Sequence, residues 1–105
     1  MLSHSKATDA FERLAAEVSD IIVTRGYKRI PLAGWYWETG KSRVQLSKPP
    51  ESALALPYLV TRQRYEFTAE GERVLSPQAH PLSVERDADA ERIAAIVEDQ
   101  LTNPY

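Results

Sequence analysis

Histidine and carboxylate side chains are the groups in this chain best suited to acid–base or metal chemistry, and their spacing supports neither. His4 and His80 are its two histidines, and neither has a second histidine or a carboxylate at ligand spacing. The acids between residues 87 and 99 fall on a predicted solvated helix face, whereas an acid–base pair needs a cleft. Without cysteine, thiolate zinc sites and cysteine nucleophiles are excluded. We therefore predict a protein that is not an enzyme and has no cofactor and no metal.

Aromatic, basic and amide side chains instead point to binding. Strand alternation places Tyr36 on one face with Arg43 and Gln45, and we expect Arg62 and Arg64 to line the same face of a second hairpin. Arginine and tyrosine are favoured in protein interfaces. They also stack on bases and neutralise phosphates. The sequence predicts a partner-binding surface from these five residues, the simpler alternative being an exposed sheet kept soluble by polar side chains.

The charges are segregated along the chain, although the formal net charge is only −2. Residues 24–66 hold eight basic and three acidic side chains, whereas residues 67–105 hold three basic and eight acidic ones. Segregation of this kind gives information about the electrostatic field of the protein and about the charge of its partners, and not about its fold. It gives self-association a physical motive, because a basic sheet of one copy complements the acidic last helix of another.

Two amphipathic helices are predicted at the ends of the chain. Apolar residues recur at steps of three and four over residues 6–25, and Gly26 is placed to end that helix in a left-handed conformation. A second stripe runs from about Asp87, the expected N-cap, to Thr102. Its members are Ala90, Ile93, Ala94, Val97 and Leu101.

Between the helices, two segments alternate with the period of a β-strand. In the first, a turn at Gly40-Lys41 places Trp35 and Trp37 on the apolar face, where we expect core positions. With that loop the pairs are Trp35 with Leu46, Tyr36 with Gln45, Trp37 with Val44 and Glu38 with Arg43. A loop at Thr39-Gly40 shifts the pairs but keeps the same faces, so both registers are open. The second segment, residues 58–76, turns at Gly71, and we expect residues 77–83 to be a loop bounded by prolines. Residues 51–56, after two prolines, are expected to form one helical turn in the connection between the hairpins.

The predicted fold is therefore a single α+β domain over residues 1–105. Its element order is αββββα, with a four-stranded antiparallel sheet from two hairpins and both helices packed on one face.

The stretch YLVTRQRYEFTAEGERVLS carries a resemblance to a known family. Thr68, Gly71, Val74 and Leu75 resemble the wing and following helix of winged-helix regulators, in which a basic strand ends in a Thr-x-x-Gly turn. The resemblance implies a helix after Gly71 and a DNA-binding role.

Composition also predicts the class of protein. No apolar run approaches the roughly 18 residues of a membrane span, and the first residues lack the pattern of a signal peptide. We expect a cytoplasmic protein, and the wealth of alanine, arginine and glutamate favours a bacterial or phage origin. Its expected function is non-enzymatic interaction with a protein partner or with itself through the basic sheet face. The alternative is a nucleic-acid-binding protein that uses the same arginines and tyrosine.

Overall fold

The computed structural model describes residues 6–49 and 56–103, with side chains from residue 10 onward. Its elements, in chain order, are α1 (Lys6–Thr24), β1 (Lys28–Arg29), β2 (Trp35–Glu38), β3 (Ser42–Ser47), β4 (Tyr58–Phe67), β5 (Arg73–Val84) and α2 (Ala90–Thr102). Most of the predicted helical turn at residues 51–56 lies outside the described residues. Neither helix of the described part is long and apolar enough to cross a membrane.

Both predicted helices are confirmed, and each buries apolar residues of its stripe, although Ala10 of α1 is exposed. The buried members of α1 are Phe11, Ala15, Val18, Ser19 and Ile22. All five residues of the predicted α2 stripe are also buried. Gly26 follows α1 with a φ of 97°, the left-handed conformation that the sequence predicts for it.

The sheet has five antiparallel strands in the order β1-β2-β3-β4-β5, and not the four that the sequence predicts. The additional strand is β1, whose two residues pair with Glu38 and Trp37 at the end of β2. Two residues are too few to show an alternating pattern, so this strand is set by its pairing with β2 and not by a local signal.

The first hairpin has the register expected for a loop at Gly40-Lys41 rather than at Thr39-Gly40, with Trp35 opposite Leu46 and Trp37 opposite Val44. Gly40 lies in this turn without a positive φ. Instead the Thr39 hydroxyl accepts hydrogen bonds from the backbone N–H groups of Lys41 and Ser42, at 3.1 and 3.2 Å. A threonine side chain therefore closes the turn.

The loop predicted at residues 77–83 is wrong, because these residues belong to the long strand β5. Pro77 and Pro81 suggest a break, yet β5 pairs only with β4 and forms one edge of the sheet. An edge strand tolerates Pro81 because one row of its N–H groups faces solvent and makes no ladder bond. Pro77 lies in a register shift of the β4–β5 ladder, between the pairs Gln63–Ala79 and Tyr65–Leu75, where no ladder bond is required of it. The predicted turn before β5 is confirmed, with a φ of 86° at Gly71.

Strand β5 also bears on the winged-helix resemblance. Residues 73–84 form a strand where that resemblance implies a helix. The implied helix after Gly71 is therefore wrong, and the fold gives the resemblance no support.

The core lies between one face of the sheet and the two helices. Trp37, Val44 and Val60 point from neighbouring strands into this layer and have no exposed surface. The indole Nε1 of Trp37 donates a hydrogen bond to the Ser19 hydroxyl of α1 over 3.1 Å. Trp35 is half-buried on the same face and donates to Glu12 over 3.2 Å. The prediction that both tryptophans face the helices is confirmed.

The N-cap of α2 is Asp89 rather than the predicted Asp87, since its carboxylate accepts from the backbone N–H of Arg92 over 2.9 Å. Replacing this side chain removes one acceptor from the first turn. We expect Asp89→Ala to lower the free energy of unfolding by about 1 kcal/mol. The matched control is Asp87→Ala, for which we expect a change within about 0.5 kcal/mol. Urea unfolding of both variants measures the difference, and equal losses would contradict the assignment of the cap.

Candidate functional site: the open face of the sheet

Among residues 6–49 and 56–103, no helix lies on the face of the sheet opposite α1 and α2, and we call this face the open face. Its side chains come from alternate positions of β2, β3 and β4 and from the start of β5. They include Tyr36, Glu38, Arg43, Gln45, Thr61, Gln63, Tyr65, Phe67 and Arg73, and the aliphatic Leu59 and Leu75 lie on the same face. Aromatic and arginine side chains alternate with small polar ones across this surface.

Three of the predicted site residues lie together on the open face. Tyr36 is directly opposite Gln45, and the Arg43 guanidinium lies over the Tyr36 ring, 4.3 Å from its centroid. A cation over an aromatic ring is attracted to the negative face of the ring, so this contact fixes the direction of both side chains. The role of the three residues in binding stays a prediction.

The other two predicted site residues lie on the opposite face. Arg62 is paired with Val44 and Arg64 with Ser42, and both partners point towards the helices. The expectation that these arginines line the basic sheet face is therefore wrong. The reason is the pleat, because Val60 is fully buried and every second residue after it must point to the same side.

These two arginines differ in their surroundings. The Arg64 guanidinium donates to the backbone carbonyl of Asn103, at the end of α2, over 3.1 Å. Arg62 is only 8% exposed, and among the described residues its buried Nε and Nη1 atoms have no hydrogen-bond partner. Arg62 is thus a buried cation without a compensating acceptor at these atoms, an arrangement that costs stability.

Glu38 is the centre of a polar cluster at one end of the open face. Its Oε1 accepts from the Tyr65 hydroxyl at 2.5 Å and from Arg73 Nη2 at 3.3 Å. Its Oε2 lies 3.8 Å from the Lys28 ammonium. The Arg73 guanidinium also lies 3.9 Å from the centroid of the Tyr65 ring. One guanidinium and one hydroxyl thus donate to a single carboxylate, and one ammonium lies close to it.

Burial is the largest cause that raises the pKa of Tyr65 above its ordinary value, and the hydrogen bond to Glu38 raises it further. An elevated pKa keeps the hydroxyl protonated throughout the neutral range. Tyr65 therefore remains a donor to Glu38, and the cluster keeps its geometry at physiological pH.

Sequence analysis missed Tyr65, Phe67 and Arg73 as members of this surface. Phe67 is 66% exposed, next to Arg73 in the register at the tip of the second hairpin. The available signal was the alternation of β4, in which Val60 marks the buried side. Following that parity places Tyr65 and Phe67 on the open face and removes Arg62 and Arg64 from it.

The segregation of charge along the sequence becomes a segregation between two layers. Residues 10–25 and 85–103 form or flank the helices, and they hold nine acidic and four basic side chains. Arg62 and Arg64 add two more cations on this side of the sheet. The open face has Arg43 and Arg73 against Glu38, with Lys28 at its edge. One side of the domain is therefore acidic and the other carries a small basic excess.

No group of three or more histidine or carboxylate side chains that could hold a metal ion occurs within residues 6–49 and 56–103. Comparison of the chain with protein-family models, with curated proteins and with solved structures found no match. The features of the open face are therefore the basis for the function proposed below.

Proposed function

We propose that this chain is a small non-enzymatic binding protein that docks through the open face onto an acidic protein surface. The observation that carries the proposal is a sheet face that both described helices leave uncovered, on which Tyr36, Tyr65 and Phe67 alternate with Arg43 and Arg73. Aromatic residues and arginine are enriched at protein interfaces, where a few such side chains supply most of the binding energy. Partners that fit are a protein with clustered carboxylates or the acidic helical layer of a second copy.

Two features favour a protein partner over nucleic acid. The Tyr36 and Tyr65 rings each have a guanidinium over one face, which competes with base stacking. Arg62 and Arg64, which the nucleic-acid alternative requires, lie on the helix side of the sheet. What remains on the open face is a modest basic excess, which suits carboxylates more than a polyphosphate backbone.

The test compares two arginine variants. Arg43→Ala removes a guanidinium from the open face, and the matched control Arg92→Ala removes an exposed one from α2, where it pairs with Glu85. Light scattering of the purified protein measures self-association, and crosslinking in an extract of the source cells measures other partners. We expect one complex that wild type and Arg92→Ala form and that Arg43→Ala loses, with thermal unfolding showing that both variants fold.

Two results would overturn the proposal. The first is equal complex formation by both variants. The second is tight binding to short labelled oligonucleotides that falls steeply between about 50 and 200 mM salt, which would assign the open face to nucleic acid.

A further inference from the structure

A concave site lies beside the open face, where the start of β1, the first hairpin turn and the start of β5 meet. Its volume is about 450 Å³. The lining residues are Gly26, Tyr27, Lys28, Glu38, Thr39, Gly40 and Arg73. A Cβ atom added at Gly26 or Gly40 would meet no atom within 4 Å, so the rim at both glycines is open space. The site is accessible to a side chain from outside.

Arg73 is held in a fixed position at this site. One nitrogen of its guanidinium lies 3.3 Å from the Glu38 carboxylate, and another lies 3.5 Å from the backbone carbonyl of Thr39. The Tyr65 ring lies beneath the guanidinium plane. A cation fixed by three contacts loses little conformational entropy when it binds an anion.

Lys28 provides the second cation, and it remains available to a ligand. Its side chain is 73% exposed and its ammonium lies 3.8 Å from Glu38, a distance too long for a direct hydrogen bond. Glu38 is only 12% exposed on its side chain and already accepts from Tyr65 and Arg73. The two cations therefore exceed the one carboxylate by a single positive charge.

We propose that this site receives one carboxylate, from an aspartate or glutamate side chain of the protein partner. The assignment rests on the proposed function and specifies the chemistry by which the partner is recognised. A monoanion matches the single excess charge between Lys28 and Arg73. A phosphate dianion meets the same two cations but is also repelled more strongly by Glu38, so its fit is poorer.

The probe is a capped hexapeptide of alternating serine and glutamate, and its control is the same peptide with glutamine. Backbone amide shifts of Gly26, Lys28 and Gly40 are followed in the isotope-labelled full chain. We expect the glutamate peptide to shift these amides and the glutamine peptide to leave them unchanged.

Removing a charge-assisted hydrogen bond by Lys28→Gln or Arg73→Gln is expected to weaken binding about tenfold. Arg92→Gln is the control at a distance from the site. Lys28→Gln changes an exposed side chain, so the test does not depend on the fold tolerating Arg73→Gln.

Three results would overturn this inference. They are equal shifts from both peptides, unchanged affinity in Lys28→Gln, or tighter binding of inorganic phosphate than of acetate. The outcome is distinguishable from failure of the proposed function. If the complex is lost in Arg43→Ala while the glutamate peptide causes no shift, the open face binds a partner but this site is not its carboxylate receptor. If Arg43→Ala leaves the complex intact, the proposed function itself is wrong.

Discussion

Replacing Trp37 by alanine is expected to lower the free energy of unfolding by about 3–5 kcal/mol, the usual cost of removing a fully buried tryptophan. The side chain has no exposed surface and is the largest one fully buried in the core. A domain of this size is stabilised by about 5–15 kcal/mol, so the variant loses a large fraction of its stability. We expect unfolding well below the wild-type temperature, measured by circular dichroism.

Trp35→Ala is the matched control, because Trp35 lies two residues away on the same strand and the same face. It is half-buried and its indole donates to the exposed residue Glu12, so less apolar surface leaves the core. We expect a loss of about 1–2 kcal/mol, which scales with the smaller buried area. Equal losses in the two variants would contradict the placement of Trp37 at the centre of the core.

The hydrogen bond of Trp37 can be measured separately. Trp37→Phe keeps most of the apolar surface but leaves the buried Ser19 hydroxyl without its donor. In a double-mutant cycle with Ser19→Ala we expect a coupling energy of about 1 kcal/mol, because the second substitution removes the unsatisfied group. Additive losses would show that the indole N–H contributes nothing through Ser19.

The sequence predicted those parts of the fold in which apolar residues recur with the period of a strand or of a helix. The alternation of Trp35 and Trp37 with polar neighbours determines which side chains of the first hairpin face the helices, because a slip of one residue would move both indoles to solvent. It allows both loops that keep this parity, and the structure has the one at Gly40-Lys41. The apolar stripes of α1 and α2 likewise predict which face of each helix is buried. In the hairpin and in both helices, the apolar side chains can be buried together in only one orientation of the element.

The parts that could not be predicted depend on tertiary context. Strand β1 is two residues long and exists through its pairing with Glu38 and Trp37. Strand β5 contains Pro77 and Pro81, which locally favour a loop and which the sheet edge and the register shift at Pro77 make acceptable. The local sequence pattern of β1 and of β5 does not show that either strand lies at an edge of the sheet.

For the candidate site, two sequence signals conflicted. Arginine prefers solvent, which placed Arg62 and Arg64 on the open face, whereas the pleat that buries Val60 places them beneath the helices. The pleat decides, because a strand cannot turn single residues over without a bulge. The remaining predicted residues, Tyr36, Arg43 and Gln45, share the open face because their strands follow the same rule.

The conflict between the solvent preference of arginine and the pleat of the strand affects stability most at Arg62. Its side chain lies between Val44 on β3 and His80 on β5 in the register, with Nε and Nη1 buried and without an acceptor among the described residues. An unsatisfied buried donor costs about 1–3 kcal/mol, and more when it is charged. Methionine has a similar length, no charge and a flexible apolar stem that fills irregular space.

We therefore expect Arg62→Met to raise the free energy of unfolding by about 1–3 kcal/mol. Arg64→Met is the matched control on the same strand and face, and we expect it to lower stability because it removes the donor to the Asn103 carbonyl. Arg62→Lys keeps the charge and is expected to give no gain. Urea unfolding of the three variants measures these signs. Destabilisation by Arg62→Met would contradict the account, since it would mean that the buried guanidinium contributes more through its contacts than its desolvation costs.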